Sequence, residues 1–112
     1  MVYLTEEQSG IVTVLQVRGR IDSTTAAMLN ERLMGMLESA SARVLVDFSH
    51  LDYISSAGFR VLLLAAKRAE QSMSRFVLCG VSGKVQQLFD LGGFLDLFTI
   101  APTREEGIAS AS

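Results

Sequence analysis

Between Arg43 and Ala69 the chain reads RVLVDFSHLDYISSAGFRVLLLAAKRA, and the order of textures in this stretch narrows the possible folds more than any other. Val44 to Phe48 is a run of five residues, four of them apolar, which predicts a buried strand. A polar loop over residues 49–56 follows. From Ser56 the apolar positions continue too long for a strand. Phe59, Leu62, Leu63, Ala66 and Ala69 form one stripe and Arg60, Lys67 and Gln71 a wet side, predicting a helix over Ser56 to Gln71. A strand that leads through a loop into an amphipathic helix is half of a parallel crossover unit.

The rest of the chain extends this unit. Arg75 to Gly80 reads as another strand and Gly83 to Leu91 as a helix with Val85, Leu88 and Phe89 inward, stopped by Gly92-Gly93. LDLFTI reads as a last strand. Pro102 and TREEG start a final helical turn in which Thr103 and Glu106 have capping-box spacing, and residues 108–112 are expected to fray. Upstream, Val2 to Glu7 and Ile11 to Arg18 form a hairpin through Ser9-Gly10. Ile11, Thr13, Leu15 and Val17 lie on one side of the second strand and Val12 and Val14 on the other, which predicts an interior strand. Gly19 ends it, and Asp22, Ser23 or Thr24 caps a helix whose inward positions are Ala26, Leu29, Leu33, Met36, Leu37 and Ala40. The expected architecture is a single α/β domain over residues 1–112. Its N-terminal β-hairpin is followed by repeated strand-helix units that form a mixed, mostly parallel sheet with helices packed on it.

With 112 residues the chain can bury a real core but is short for an enzyme with a separate substrate-binding half. A net charge of -2 with scattered basic residues gives no dense cationic surface, so neither nucleic acid nor an anionic membrane is expected as a partner. No apolar run approaches the ~20 residues that cross a bilayer, and MVYLTEEQ does not resemble a secretion signal, so a cytoplasmic location is expected. The lone Cys79, in RFVLCGV, reads as a buried strand residue rather than a reactive thiol.

In open parallel sheets the functional edge is the one at the strand C-termini, where loops run into helix N-termini. The segment richest there in hydroxyls and acids is SHLDYISS, opposite GRIDSTT if the two strands are neighbours. Helix capping is the plain role for either Ser55 or Ser56. The functional role is that of a phosphoacceptor, since Ala57 and Gly58 leave the first helical turn bare to an approaching kinase. A phosphate would add about -1.5 to -2 charges, which a helix N-terminus tolerates. Asp22 and Asp52, crowding the same edge, would add repulsion against a partner. Met28, Met34 and Met36, with Val61 and Leu64, exceed one inward stripe and suggest a docking groove beside Ser56, with Val61 one turn beyond the acceptor.

Three other patterns are weaker. GVSGK at Gly80 to Lys84 lacks the spacing of a phosphate loop, although a small nucleotide-binding domain is the alternative it would support. His50 has no partners for a triad, and Asp47 lacks the acidic pair of a receiver domain. No catalytic residue, metal ligand or cofactor is expected.

LDYISSAGFRVLLLAAKRA together with LQVRGRID closely resembles the STAS domain of bacterial anti-sigma-factor antagonists, with the same order of elements from end to end. The resemblance implies a small cytoplasmic, non-enzymatic module. When unphosphorylated it binds an anti-sigma factor that is also a serine kinase; phosphorylation at the start of the second helix releases that kinase, and a PP2C-type phosphatase restores the cycle. By position, Ser56 is the phosphoacceptor, and Asp22, Ser23, Ser55, Ala57, Gly58 and Val61 form the partner surface. Many members carry aspartate just before the acceptor; here that place holds Ser55, which leaves Ser55 as the alternative acceptor. A STAS module with a non-sigma output, in a secretion or stress complex, is the other reading, and the oligomeric state is expected to be monomer or weak homodimer.

Overall fold

The computed structural model describes residues 1–93 and 95–112. Five strands form one sheet in chain order: β1 (Val2–Ser9), β2 (Val12–Ile21), β3 (Arg43–Ile54), β4 (Arg75–Cys79) and β5 (Thr99–Ala101). The first pair is antiparallel and the other three are parallel. Helices α1 (Ala26–Met36), α2 (Ser56–Gln71) and α3 (Gly83–Gly92) make the crossovers. Because the parallel strands are laid down in one direction, crossovers of one hand bring all three helices to the same face. Their Leu29, Leu33, Phe59, Leu62, Val85 and Phe89 bury Leu15, Val17, Val46, Phe48 and Leu78 of the sheet. On the opposite face, Val12, Val14, Leu45, Val77 and Cys79 cluster with Ile108 and Ala111 of helix α4 (Arg104–Ala111). Among the described residues no helix is long and apolar enough to cross a membrane.

Several boundaries differ from expectation. The strand expected to stop at Gly19 continues to Ile21, and the one expected to stop at Phe48 continues to Ile54, so SHLDYI is strand rather than loop. The register explains both. Gln16 faces Asp47 but Arg18 faces His50, and Gly19 faces Leu51 but Arg20 faces Tyr53, so β3 carries two residues more than β2 over the same span. Two bulges of this kind turn the chain and keep Phe48, Leu51 and Ile54 on the helix-covered face at spacings of three instead of two. Gly19 sits at the second irregularity with φ +96, and a side chain there would collide with the Met1 carbonyl.

Ile11 lies in the hairpin turn and is 65% exposed, and Ala40, beyond the end of α1, is also exposed. The LDLFTI segment resolves into a 3₁₀ turn, Leu95–Leu97, and the three-residue β5. The chain end expected to fray is instead helical through Ala111, whose burial is complete. Thr103 caps α4 by accepting from the Glu106 N–H at 3.2 Å, as the capping-box spacing predicts. Arg104 then holds the helix to the sheet, its Nε donating to Asp47 Oδ2 at 3.0 Å and its Nη1 lying 3.3 Å from Glu7 Oε2. Burial alone would raise the Asp47 carboxyl. The Ser49 amide, donating to Oδ1 at 2.9 Å, and the Arg104 guanidinium outweigh it and hold the group below its usual range.

Candidate functional site

The C-terminal ends of β2 and β3 lie side by side, Ile21 opposite Ile54. The next residues, Asp22 and Ser55, therefore open adjacent turns, tied by the Ser55 N–H donating to the Ile21 carbonyl at 2.8 Å. Ser55 is the N-cap of α2: its backbone is extended, and its hydroxyl accepts from the Gly58 N–H at 3.3 Å. Ser56, one residue on, is the first helical residue and is exposed, and among the described residues its hydroxyl has no hydrogen-bond partner. The two serines thus separate by role, one spent on the cap and the other free at the surface.

The turn at Asp22 is the opposite case. Its Oδ1 accepts from the Thr24 N–H at 3.0 Å, the Thr24 hydroxyl at 2.6 Å and the Thr25 N–H at 3.0 Å. Thr25 Oγ1 in turn accepts from the Asp22 N–H and lies 3.0 Å from the Arg20 carbonyl oxygen, to which it donates. The carboxylate thus closes the turn ahead of α1, whose first amide, that of Ala26, donates to the Asp22 backbone carbonyl at 2.9 Å, while the N-cap residue, Thr25, makes no side-chain cap. The Thr24 hydroxyl, followed by the Thr25 amide, pulls the Asp22 carboxyl far below its ordinary range, so it is ionised at neutral pH. Ser23 is exposed beside it.

Two residues expected on the partner surface are not there. Val61 is 7% exposed and belongs to the core, because α2 packs against α1 as well as the sheet and so buries a wider arc than a single stripe. Gly58 is buried too. A Cβ there would fall 2.6 Å from Ile54 Cγ1 and 2.8 Å from Ile21 Cγ2, so the glycine lets α2 start close against the strand ends instead of clearing space for an enzyme. Ala57 is half-buried and Asp52 exposed. The expected methionine groove also lies elsewhere: Met28 and Met36 line a cleft with Leu4, Glu6, Arg32 and Gly35, between α1 and β1, with no residue of α2 in it. Leu64 of α2 is 48% exposed on its own.

At the loop after β4, Gly80 has a positive φ of 72. A Cβ on Gly80 would meet Asp47 Oδ1 at 2.9 Å and the Ser49 amide nitrogen at 2.7 Å, so the glycine fits the loop against a buried carboxylate. Cys79 is buried, and its burial, with Asp47 nearby, pushes the thiol up to about 12, far from a reactive thiolate. Sequence reasoning overlooked Arg104, the anchor of α4, and the stacking of Arg20 on Tyr53, with the guanidinium carbon 4.4 Å from the ring centroid. The signal for the second pair was present in GRID and LDYI, each of which carries one of the two just before its strand-terminal isoleucine.

Comparison with known proteins sets this junction in context. The STAS domain family model matches residues 3–107. BtrV of Bordetella bronchiseptica, named as an anti-sigma factor antagonist, is 36% identical over 107 residues, covering 96% of this chain and 92% of that protein. An anti-sigma factor antagonist from Mycobacterium paratuberculosis has the same fold, with a TM-score of 0.88 at 19% identity over 99% of this chain and 94% of that one. The phosphorylated form of the Bacillus cell fate determinant SpoIIAA gives a TM-score of 0.71 at 18% identity, over 96% of this chain and 97% of its own. The hairpin-first sheet, the strand-end junction and these whole-length matches agree: the chain belongs to the STAS domain family, in the company of its anti-sigma factor antagonists.

Proposed function

We propose that this chain is a phosphorylation-gated binding module, acting as one domain over residues 1–112, that antagonises an anti-sigma factor which is also a serine kinase. In the unphosphorylated state it holds that kinase at the edge formed by Asp22, Ser23, Ser55, Ser56 and Ala57. A phosphate on Ser56 releases the kinase, and a PP2C-type phosphatase reverses the modification. The module is non-enzymatic, works in the cytoplasm and is a monomer or weak homodimer. The observation that carries this reading is the Ser56 hydroxyl, exposed and unbonded among the described residues, next to a Ser55 already committed to the helix.

The energetics favour a switch in binding over a switch in fold. A phosphate at the first helical residue gains ~0.3–1 kcal/mol from the aligned peptide dipoles, so α2 keeps its place. A thousandfold loss of affinity needs ~4 kcal/mol, which has to arise at the interface. The ionised Asp22 in the adjacent turn adds to the negative charge a docked partner would face. Incubation with the cognate kinase and ATP is expected to add one phosphate, located on Ser56 by fragmentation mass spectrometry. A phosphate on Ser55 would overturn the residue assignment, and no phosphate on either would overturn the gating. Ser56→Asp is expected to weaken kinase binding with little change in melting temperature.

A further inference from the structure

Helix α4 covers only part of the second face of the sheet. It packs on β3, β4 and β5, while the C-terminal half of β2, the start of β1 and the bulged end of β3 stay open on that side. Strand alternation fixes what is displayed there. Leu15, Val17 and Ile21 turn under the helices, so Gln16, Arg18 and Arg20 turn to the open face. Tyr3 is the direct cross-strand partner of Arg18 and is 58% exposed. On the other flank His50 pairs in register with Arg18 and Tyr53 with Arg20. Gln16 Nε2 lies 3.2 Å from His50 Nδ1, and Arg20 lies over the Tyr53 ring.

The Arg18 and Arg20 guanidiniums make no ion pair among the described residues. Arg32 is paired with Glu6, and Arg104 with Asp47 and Glu7. Among the described residues no carboxylate lies within ion-pair distance of Arg18 or Arg20. Two guanidiniums at alternate positions of one strand, flanked by tyrosines on the open face, combine residue types enriched at protein interfaces. They stand about 7 Å apart along the strand, the spacing of side chains i and i+2 in another extended segment. Two carboxylates at such positions could each meet one guanidinium. A polyphosphate chain fits less well, since it carries charge along its whole length and not only at the alternate positions that face the two guanidiniums.

We propose that the strip formed by Arg18 and Arg20 between Tyr3 and Tyr53 is a docking surface for an extended acidic segment of a protein partner, with acids at alternate positions. It is independent of any modification at Ser56. The test uses isotope-labelled protein and a short capped peptide of alternating glutamate and threonine as the probe, read by amide shifts in low salt. Saturating shifts at Arg18, Arg20, His50 and Tyr53 are expected, weakened at least tenfold in the Arg18→Gln/Arg20→Gln variant with its melting curve unchanged. If that variant unfolds, Arg20→Lys is the substitute: it keeps the charge, loses the planar fork and is expected to weaken binding several-fold. The proposal is overturned by absent shifts, by variants that bind as wild type, by equal binding of a lysine-threonine peptide, or by oligothymidylate occupying the strip more tightly than the acidic peptide.

Discussion

The turns that follow β2 and β3 are neighbours rich in hydroxyls, DSTT and SSAG, yet they use them differently. In the first, Asp22, Thr24 and Thr25 bond to one another and to the local backbone, so both threonine hydroxyls have partners and, among the described residues, only that of Ser23, ahead of the helix, has none. In the second, one serine suffices to cap the helix and the next is left over. Surface exposure alone does not separate them, because Thr24 and Ser56 are both exposed. What separates them is whether the hydroxyl already holds something in place. A group can be modified without loss of structure only where the fold does not consume it.

Substitutions at the two turns can break or sharpen this contrast. The largest effect is expected from Gly58→Val, which forces a side chain against Ile21 and Ile54, both fully or almost fully buried; denaturant unfolding should show a loss of ~1–3 kcal/mol. Ser55→Ala removes the cap and should cost ~1 kcal/mol in the same assay. A stability loss from Ser56→Ala larger than that from Ser55→Ala would reverse the roles assigned to the pair. Asp22→Asn keeps an oxygen acceptor and loses only charge, so its effect at neutral pH should be smaller and should depend on pH. The folded-state carboxyl lies well below its ordinary range, so its stabilisation is complete above the unfolded value of about 3.9 and is lost as pH falls through the folded one. The melting-temperature gap between wild type and Asp22→Asn should accordingly close on acidification below about pH 4. Ser56→Ala should have the smallest effect on stability, within ~0.5 kcal/mol, while abolishing phosphate incorporation.

Much of the fold was legible because helices with strong periodicity announce themselves: α2 runs from Ser56 to Gln71 as its spacing predicts. The hairpin, the interior position of β2 and the parallel crossovers followed from alternation and chain order. The second half of β3 was not legible, because its bulges replace the period of two with a period of three, and SHLDYI then has the texture of a loop. At the site, the serine pair could be found from composition and position, but its division of labour could not, since capping depends on which backbone bends. Val61 was misjudged because an amphipathic stripe was counted against one neighbour, the sheet, when α2 has two. Helix α4 was underestimated because its fully buried residues, Gly107 and Ala111, are too small to register as an apolar face and leave Ile108, partly buried, as its one large apolar contact in that cluster.

The two surplus residues of β3 make the aim of the junction a matter of arithmetic. Each extra residue in that strand swaps which side of the pleat the remainder presents, and two swaps restore the original sense with Ile54 inward and the serines leading off the strand end. Deleting one residue from His50 to Asp52 would leave the chemistry of ISSAG untouched and point it the wrong way, turning Ile54 to water. Insertions and deletions in this strand, more than substitutions in the motif, are therefore where a signalling protein of this build would lose its message while keeping its signature.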